Sequence, residues 1–431
     1  MQKKKSKPTS KKKIIPKKTP TKTKISTKKK ILEQDISISE PRKRIEEKIL
    51  IVCGEPSGDL LGADLMVELR NTKGNFSFTG IGGLEMGKLG FTSLYDIEDL
   101  SVMGFTGIFK SYFKLKKIAK NLVEKAIIEN VHYAVLIDYP GFNLYLAERL
   151  REKGIKVIFY VSPQIWAWRF KRIFKIKKFV NLMLVLFPFE KKIYDEYGVK
   201  CEFVGHPLRN RMEEKMKSEK PVQIDKGITT ICLMPGSRGV EIDRLLDPIL
   251  DGAVLIWERY KNLNKKVQFI LPNINQSKEL LIQEKLKSLK DEKGIDIQYF
   301  FDRSAKSIEA SDLVILSSGT ATLEVTFFEK PMIILYKVGF FTYEIGRRIV
   351  SAKFFGLPNV LSEKLICKEY LQNEVTGETI YQEAINILEK DSYRSEMIQN
   401  IKAVKQSLSD GHAGKNAANA ILKLIQESVL L

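Results

Sequence analysis

From Ile49 onward the chain repeats one pattern: a short apolar run, a break of small or turn-forming residues, then an amphipathic stretch at helical spacing. A strand that is apolar on both faces must be covered on both faces, and a parallel sheet wrapped by helices does this. The first series places strand-like runs at 49–53, 76–81, 134–137, 157–161 and 182–187, with helical patterns at 60–70, 114–129, 144–153 and 190–197 between them. A second series has runs at 229–234, 267–271, 295–300, 313–316 and 332–336, with helices such as 244–259 and 321–328. Together they predict an α/β chain of two doubly wound domains facing a cleft. On this reading 1–45 is a disordered Lys-rich tail, 46–210 the first domain, 211–226 a charged linker and 227–395 the second domain. Residues 396–431 are helices expected to pack back on the first domain.

The formal charge of +20 suggests a nucleic-acid binder until its distribution is considered. Residues 1–45 hold 17 Lys and Arg against three acidic residues, a local +14, which leaves +6 for the rest of the 431-residue chain. A folded basic face of the kind that grips DNA or RNA is therefore not expected. The tail's few apolar residues cannot offset the entropy of ordering it. It is read as a solvated segment or a contact for anionic headgroups, with nucleic acid the weakest of the three alternatives. Cys53, Cys201, Cys232 and Cys367 are widely spaced, and with three His residues in the chain no clustered zinc site is expected. The thiols are read as reduced, in a cytoplasmic protein. No apolar run is long enough to cross a bilayer, and no secretory signal is expected because the N-terminus lacks an apolar stretch.

The chemistry-bearing residues cluster where strands end. Gly54-Glu55-Pro56-Ser57-Gly58-Asp59 follows the first run, where a doubly wound sheet binds ligands, and Glu55, Ser57 and Gly58 are its candidate substrate contacts. The same residues fit a plain strand-to-helix turn, with Ser57 or Asp59 capping a helix from Leu60. Their spacing is not that of a dinucleotide fingerprint. Asp138 ends the run at 134–137, so its carboxylate should emerge at the edge of the sheet beside apolar walls that raise its proton affinity. It is a candidate general base, or a cap for the Pro140-Gly141 turn. Trp166, Trp168 and Arg169 form an aromatic and basic block suited to a sugar face, an acyl chain or core packing. In the second series, Pro235-Gly236-Ser237-Arg238 and Ser317-Ser318-Gly319-Thr320-Ala321-Thr322-Leu323-Glu324 each end a strand. Helix-start amides at Gly319 to Ala321 can cradle a diphosphate, with Ser318, Gly319 and Thr320 as its candidate contacts and Ser237 and Arg238 beside them as further anion contacts. Glu324 can accept hydrogen bonds from ribose hydroxyls.

In this order the segments resemble the lipid-A-disaccharide synthase family of GT-B glycosyltransferases. The resemblance is carried by GEPSGDLLGA (54–63), IDYPGFNL (137–144), VSPQIWAWR (161–169), FPFE (187–190), FVGHPL (203–208), LMPGSRGVEI (233–242), SSGTATLE (317–324) and LPNVL (357–361). It implies two Rossmann-like domains and inverting transfer of 2,3-diacylglucosamine from its UDP derivative to the 6-hydroxyl of 2,3-diacylglucosamine 1-phosphate. Asp138 matches the family's essential acidic residue, Arg238 its essential arginine, and Glu324 and Asn359 residues lining the UDP pocket. No metal or other cofactor is implied. Pro56 and Gly141 depart from the family pattern, the latter where many relatives carry a second Asp, which leaves Asp138 without a rival as base.

Acylated substrates imply peripheral contact with the cytoplasmic face of the inner membrane. The segment 102–117 alternates bulky apolar residues with lysines, and Phe105, Ile108, Phe109 and Tyr112 are the candidate lipid contacts. An ordinary amphipathic core helix is the alternative. Another UDP-sugar-dependent GT-B transferase, or a UDP-sugar epimerase, is the competing function, and a homodimer remains open.

Overall fold

The computed structural model describes residues 46–72, 74–100, 108–339, 343, 353–408 and 411–429. The first array alternates β1 (Glu47–Cys53), α1 (Pro56–Arg70), β2 (Phe76–Ile81), α2 (Leu84–Lys88), β3 (Thr92–Tyr95), α3 (Ile108–Ile128), β4 (Tyr133–Ile137), α4 (Pro140–Glu152), β5 (Lys156–Tyr160), α5 (Arg172–Phe179), β6 (Leu182–Val185), α6 (Pro188–Glu196) and β7 (Cys201–Phe203). Its strands pair in parallel in the order β3-β2-β1-β4-β5-β6-β7. Along β1, Leu50 and Val52 enter the core beneath α3, α4 and α5, while Ile49, Ile51 and Cys53 enter the core beneath α1. This period of two on a strand with no polar face explains the unbroken apolar run.

The stretch expected to link the two arrays carries a helix, α7 (Leu208–Ser218). The second array then runs β8 (Thr229–Met234), α8 (Gly239–Asn262), β9 (Val267–Asn273), α9 (Glu279–Lys293), β10 (Ile297–Phe301), α10 (Ser304–Ala310), β11 (Leu313–Ser317), α11 (Ala321–Phe327), β12 (Met332–Tyr336), α12 (Leu357–Ser362) and β13 (Glu369–Leu371). Its parallel order is β10-β9-β8-β11-β12-β13. Three helices follow: α13 (Gly377–Glu389), α14 (Asp391–Ser407) and α15 (Ala413–Val429). Ala417, Ala418, Ile421 and Leu424 of α15 share the core of Ile49 and Ile51. Small residues set the close approach, since a Cβ at Gly414 would lie 3.1 Å from that of Asp64 on α1. The Asn416 amide donates to the Val204 carbonyl at 3.0 Å.

Both sheets therefore have the doubly wound architecture that the sequence predicts, and each reverses its strand order once, between β1 and β4 and between β8 and β11. The crevice beyond the carboxyl ends of the two strands at a reversal is where such sheets receive ligands, because neighbouring connections leave it on opposite faces.

Candidate active site

At the first reversal, Gly54 and Glu55 follow β1 and Asp138 and Tyr139 follow β4. The Asp138 N–H extends the ladder by donating to the Tyr160 carbonyl at 2.8 Å, and the chain then turns through two left-handed residues, Asp138 (φ 47°) and Tyr139 (φ 46°). Each costs on the order of 1–3 kcal/mol, so the turn persists only if its surroundings hold it. Three contacts do. The fully buried Asn143 amide donates to the carbonyls of Ile137 (3.2 Å) and Asp138 (2.8 Å). The Tyr139 hydroxyl donates to the Leu100 carbonyl at 2.6 Å. The Tyr139 ring lies over Gly54, where a Cβ would come within 2.5 Å of the ring. Pro140 then opens α4 with its ring-fixed φ. The result is a half-buried carboxyl held at the sheet edge. Burial, and secondarily the negative charge of Glu55, push its pKa above the usual Asp value against the opposing Tyr139 N–H.

The loop after β1 divides its work differently from the sequence reading. Pro56, favoured at the first helical position, starts α1 four residues before Leu60. Glu55 and Ser57 are exposed, whereas Gly58 is buried, and a Cβ there would lie only 3.0 Å from Cys53 Cβ, so it serves helix-on-strand packing. Asp59 caps a helix, but not its own: its buried carboxylate accepts from the N–H groups of Gly83 (2.8 Å), Glu85 (2.8 Å) and Met86 (3.2 Å) at the start of α2.

At the second reversal, the loops after β8 and β11 border a cavity of about 210 Å³. Ser237 and Arg238 line one side, and Ser318, Gly319 and Thr320 line another. Glu241 accepts from the N–H groups of Ser237 (3.1 Å) and Arg238 (3.3 Å) and pairs with the Arg238 guanidinium at 3.0 Å. That pairing leaves most of the Arg238 fork exposed. Gly236 is required here, because its φ is 129° and a Cβ would meet Glu241 at 2.6 Å. The Ser318 N–H is taken by the Leu335 carbonyl (2.7 Å) and its hydroxyl donates to the Phe355 carbonyl (2.9 Å). Among the described residues the amides of Gly319, Thr320 and Ala321 have no protein acceptor, so they, and not Ser318, form the free donor set.

Glu324 completes the lining, and its Oε1 receives a hydrogen bond from the Lys215 ammonium at 3.0 Å. Lys215, together with Asn143, escaped the sequence reading. Both were legible as polar residues on apolar stripes: Lys215 continues Leu208 and Met212 at i+4 and i+7, and Asn143 aligns with Leu146 and Leu150. Asn359, expected in the UDP pocket, is not among the residues that border this cavity. It is buried, donates to the Cys367 carbonyl (2.7 Å) and Glu369 (2.6 Å), and accepts from the Ile366 and Cys367 amides (2.8 and 2.9 Å). With its donors and acceptors spent on its own loop, it does not line the cavity.

In the aromatic block, Trp166 packs edge-on against Phe189 at 5.5 Å, and Trp168 lies under both Arg169 (4.6 Å) and Arg172 (5.0 Å). Phe105 lies outside the described residues, as do the side chains of Ile108 and Phe109. Tyr112 is exposed beside exposed Phe113, with the Lys116 ammonium 4.4 Å from its ring centre. Among the described residues no helix is long and apolar enough to cross a membrane.

A family model described as lipid-A-disaccharide synthetase matches residues 49–423, a span that holds both reversal sites. The chain belongs to that family. Lipid-A-disaccharide synthetase relatives support it: the synthase of Alcanivorax borkumensis is 35% identical over 381 residues, covering 88% of this chain and 97% of the relative. That of Colwellia psychrerythraea is 38% identical over 387 residues, covering 88% and 95%. Among solved structures, an S. aureus MnaA–UDP co-structure aligns with a TM-score of 0.60 at 13% identity, over 88% of this chain and 97% of that one. A Neisseria meningitidis UDP-GlcNAc 2-epimerase bound to UDP-GlcNAc aligns at 0.54 and 12%, over 88% and 100%. These two likenesses establish the fold alone, two Rossmann-like domains of GT-B type. Membership in the lipid-A-disaccharide synthetase family makes the chain a glycosyltransferase of lipid A biosynthesis.

Proposed function

We propose that Asp138 is the general base and the β8–β11 cavity the UDP pocket of a lipid-A-disaccharide synthase. The donor is UDP-2,3-diacylglucosamine and the acceptor 2,3-diacylglucosamine 1-phosphate. The observation that carries this reading is the braced left-handed turn at Asp138–Tyr139: a fold retains two strained residues where a side chain must be aimed. The Asp138 carboxylate takes the proton of the acceptor 6-hydroxyl as that oxygen attacks the anomeric carbon. The bond from that carbon to the diphosphate oxygen breaks with inversion, and UDP departs with the electron pair. Arg238 and the amides of Gly319 to Ala321 neutralise the charge that develops on it, and Glu324 accepts from the ribose hydroxyls. Ser237 and the Ser318 hydroxyl oxygen border the diphosphate, while Glu55 and Ser57 meet the acceptor.

Purified protein supplied with both acylated substrates should yield the β-1,6 disaccharide 1-phosphate and UDP by mass spectrometry, and none with unacylated donor. Conversion of the donor without acceptor would point to an epimerase and overturn the reading.

The acyl chains bring the enzyme to the cytoplasmic face of the inner membrane as a peripheral protein. Tyr112 and Phe113 with Lys114, Lys116 and Lys117 support α3 as the contact, apolar rings flanked by ammonium groups. Replacing Ile108 and Phe109 with Ser should lower partitioning onto anionic vesicles; unchanged partitioning would assign the contact elsewhere.

A further inference from the structure

We infer that Lys215 is a positioning residue for nucleotide binding, fixing the carboxylate of Glu324 so that its second oxygen is presented to the sugar of the nucleotide. This rests on reading the β8–β11 cavity as the UDP pocket. Lys215 comes from α7, the helix that connects the two arrays, whereas the rest of the cavity lining belongs to the strand ends, loops and helices of the second array. Its ammonium donates to Glu324 Oε1 at 3.0 Å and to the Ser304 hydroxyl at 3.2 Å, so two partners on two helices define its place. Glu324 Oε2 carries no protein hydrogen bond among the described residues.

The helix itself is anchored where the lysine needs it. Leu208 and Met212 pack with Leu323, the neighbour of Glu324, and with Leu408. At the far end, the Glu219 carboxylate accepts from the N–H groups of Ala305 (3.2 Å) and Lys306 (2.9 Å) at the start of α10, beside Ser304. Lys215 thus sits between two fixed points. Two physical consequences follow. A carboxylate with one oxygen engaged and the other open accepts a vicinal diol in one orientation, without the rotamer entropy of a free Glu. The ammonium also offsets a negative charge that would otherwise stand beside the incoming diphosphate.

The test compares UDP with 2′,3′-dideoxy-UDP by calorimetry on the full-length protein. Wild type should prefer UDP by about tenfold or more, the worth of one or two charge-assisted hydrogen bonds. Lys215→Met should bring that ratio to about twofold or less, Lys215→Arg should restore most of it, and Glu324→Gln should match Lys215→Met. Donor KM should rise in Lys215→Met while kcat stays within about threefold, the split expected of lost ground-state binding. Lys215→Ala, which keeps the best helix former at the position, serves if the Met variant does not fold. A wild-type ratio retained in the folded Met or Ala variant overturns the inference while leaving the UDP reading standing. Wild type that binds no UDP overturns both.

Discussion

Gly54→Ala tests the braced turn without touching a reacting group. Its backbone is not in the left-handed region, so the substitution acts through space alone: the new methyl would lie 2.5, 2.7 and 2.9 Å from three atoms of the Tyr139 side chain. Ordinary carbon contacts are about 3.5–4.0 Å, so the ring must retreat by roughly 1 Å. It cannot do so freely, because its hydroxyl is tied to the Leu100 carbonyl at 2.6 Å. Overpacking costs about 1–3 kcal/mol and losing that hydrogen bond about 1 more, a loss of roughly 2–4 kcal/mol that still leaves an ordinary domain folded. The displacement passes directly to Asp138, the preceding residue, and a shift of order 1 Å at a reacting group costs roughly 100-fold in kcat. Gly319→Ala is the internal comparison, since nothing lies within 4 Å of its added methyl. It should leave stability within about 0.5 kcal/mol and raise the donor KM. Urea unfolding, UDP calorimetry and steady-state kinetics on both variants decide the matter. Gly54→Ala with wild-type stability, or with kcat within threefold of wild type, would refute the idea that Tyr139 braces the base against β1.

Asp138→Asn should lower kcat by about 10²–10⁴-fold, the span of general-base catalysis, while the Kd for UDP stays within about threefold; near-native turnover would remove Asp138 from the role. Glu55→Gln deletes the negative charge that helps hold the Asp138 pKa up. The acidic limb of kcat/KM should then move to lower pH, and a move to higher pH would contradict the assignment. Glu190, buried behind the Trp166 segment, has its pKa pushed by burial from 4.5 up to about 8. Its neutral form stabilises the fold fully below the unfolded value of 4.5, and that contribution is lost as pH rises to about 8, by up to ~1.4 kcal/mol per pH unit. Denaturant titrations at pH 5, 6.5 and 8 should show that slope in wild type and not in Glu190→Gln; parallel slopes would place the carboxyl in a more polar setting than its burial indicates.

What the sequence disclosed follows from how much of each element the core owns. The runs at 76–81, 229–234 and 332–336 coincide with β2, β8 and β12, strands buried along most of their length, where even the polar Thr79 and Thr230 lie in the interior. The strands at the margins, β3 (TSLY), β7 (CEF) and β13 (EYL), are short and half-exposed, and an apolar-run criterion passes over them. The reacting loops were legible for a related reason: a carboxylate or glycine placed directly after an obligatory strand has its location fixed by the strand. Asn359 has no such anchor. A carboxamide offers two donors and two acceptors, and nothing in a sequence tells whether a ligand or the chain's own 366–369 segment will claim them. Lys215 shows the converse. It lies in a stretch so charged that it reads as solvated linker, yet two apolar residues one and two turns earlier turn its face toward the cavity. A charged residue is therefore placed by the stripe it interrupts more than by the charge density around it, and it is there that a functional lysine differs from its solvated neighbours.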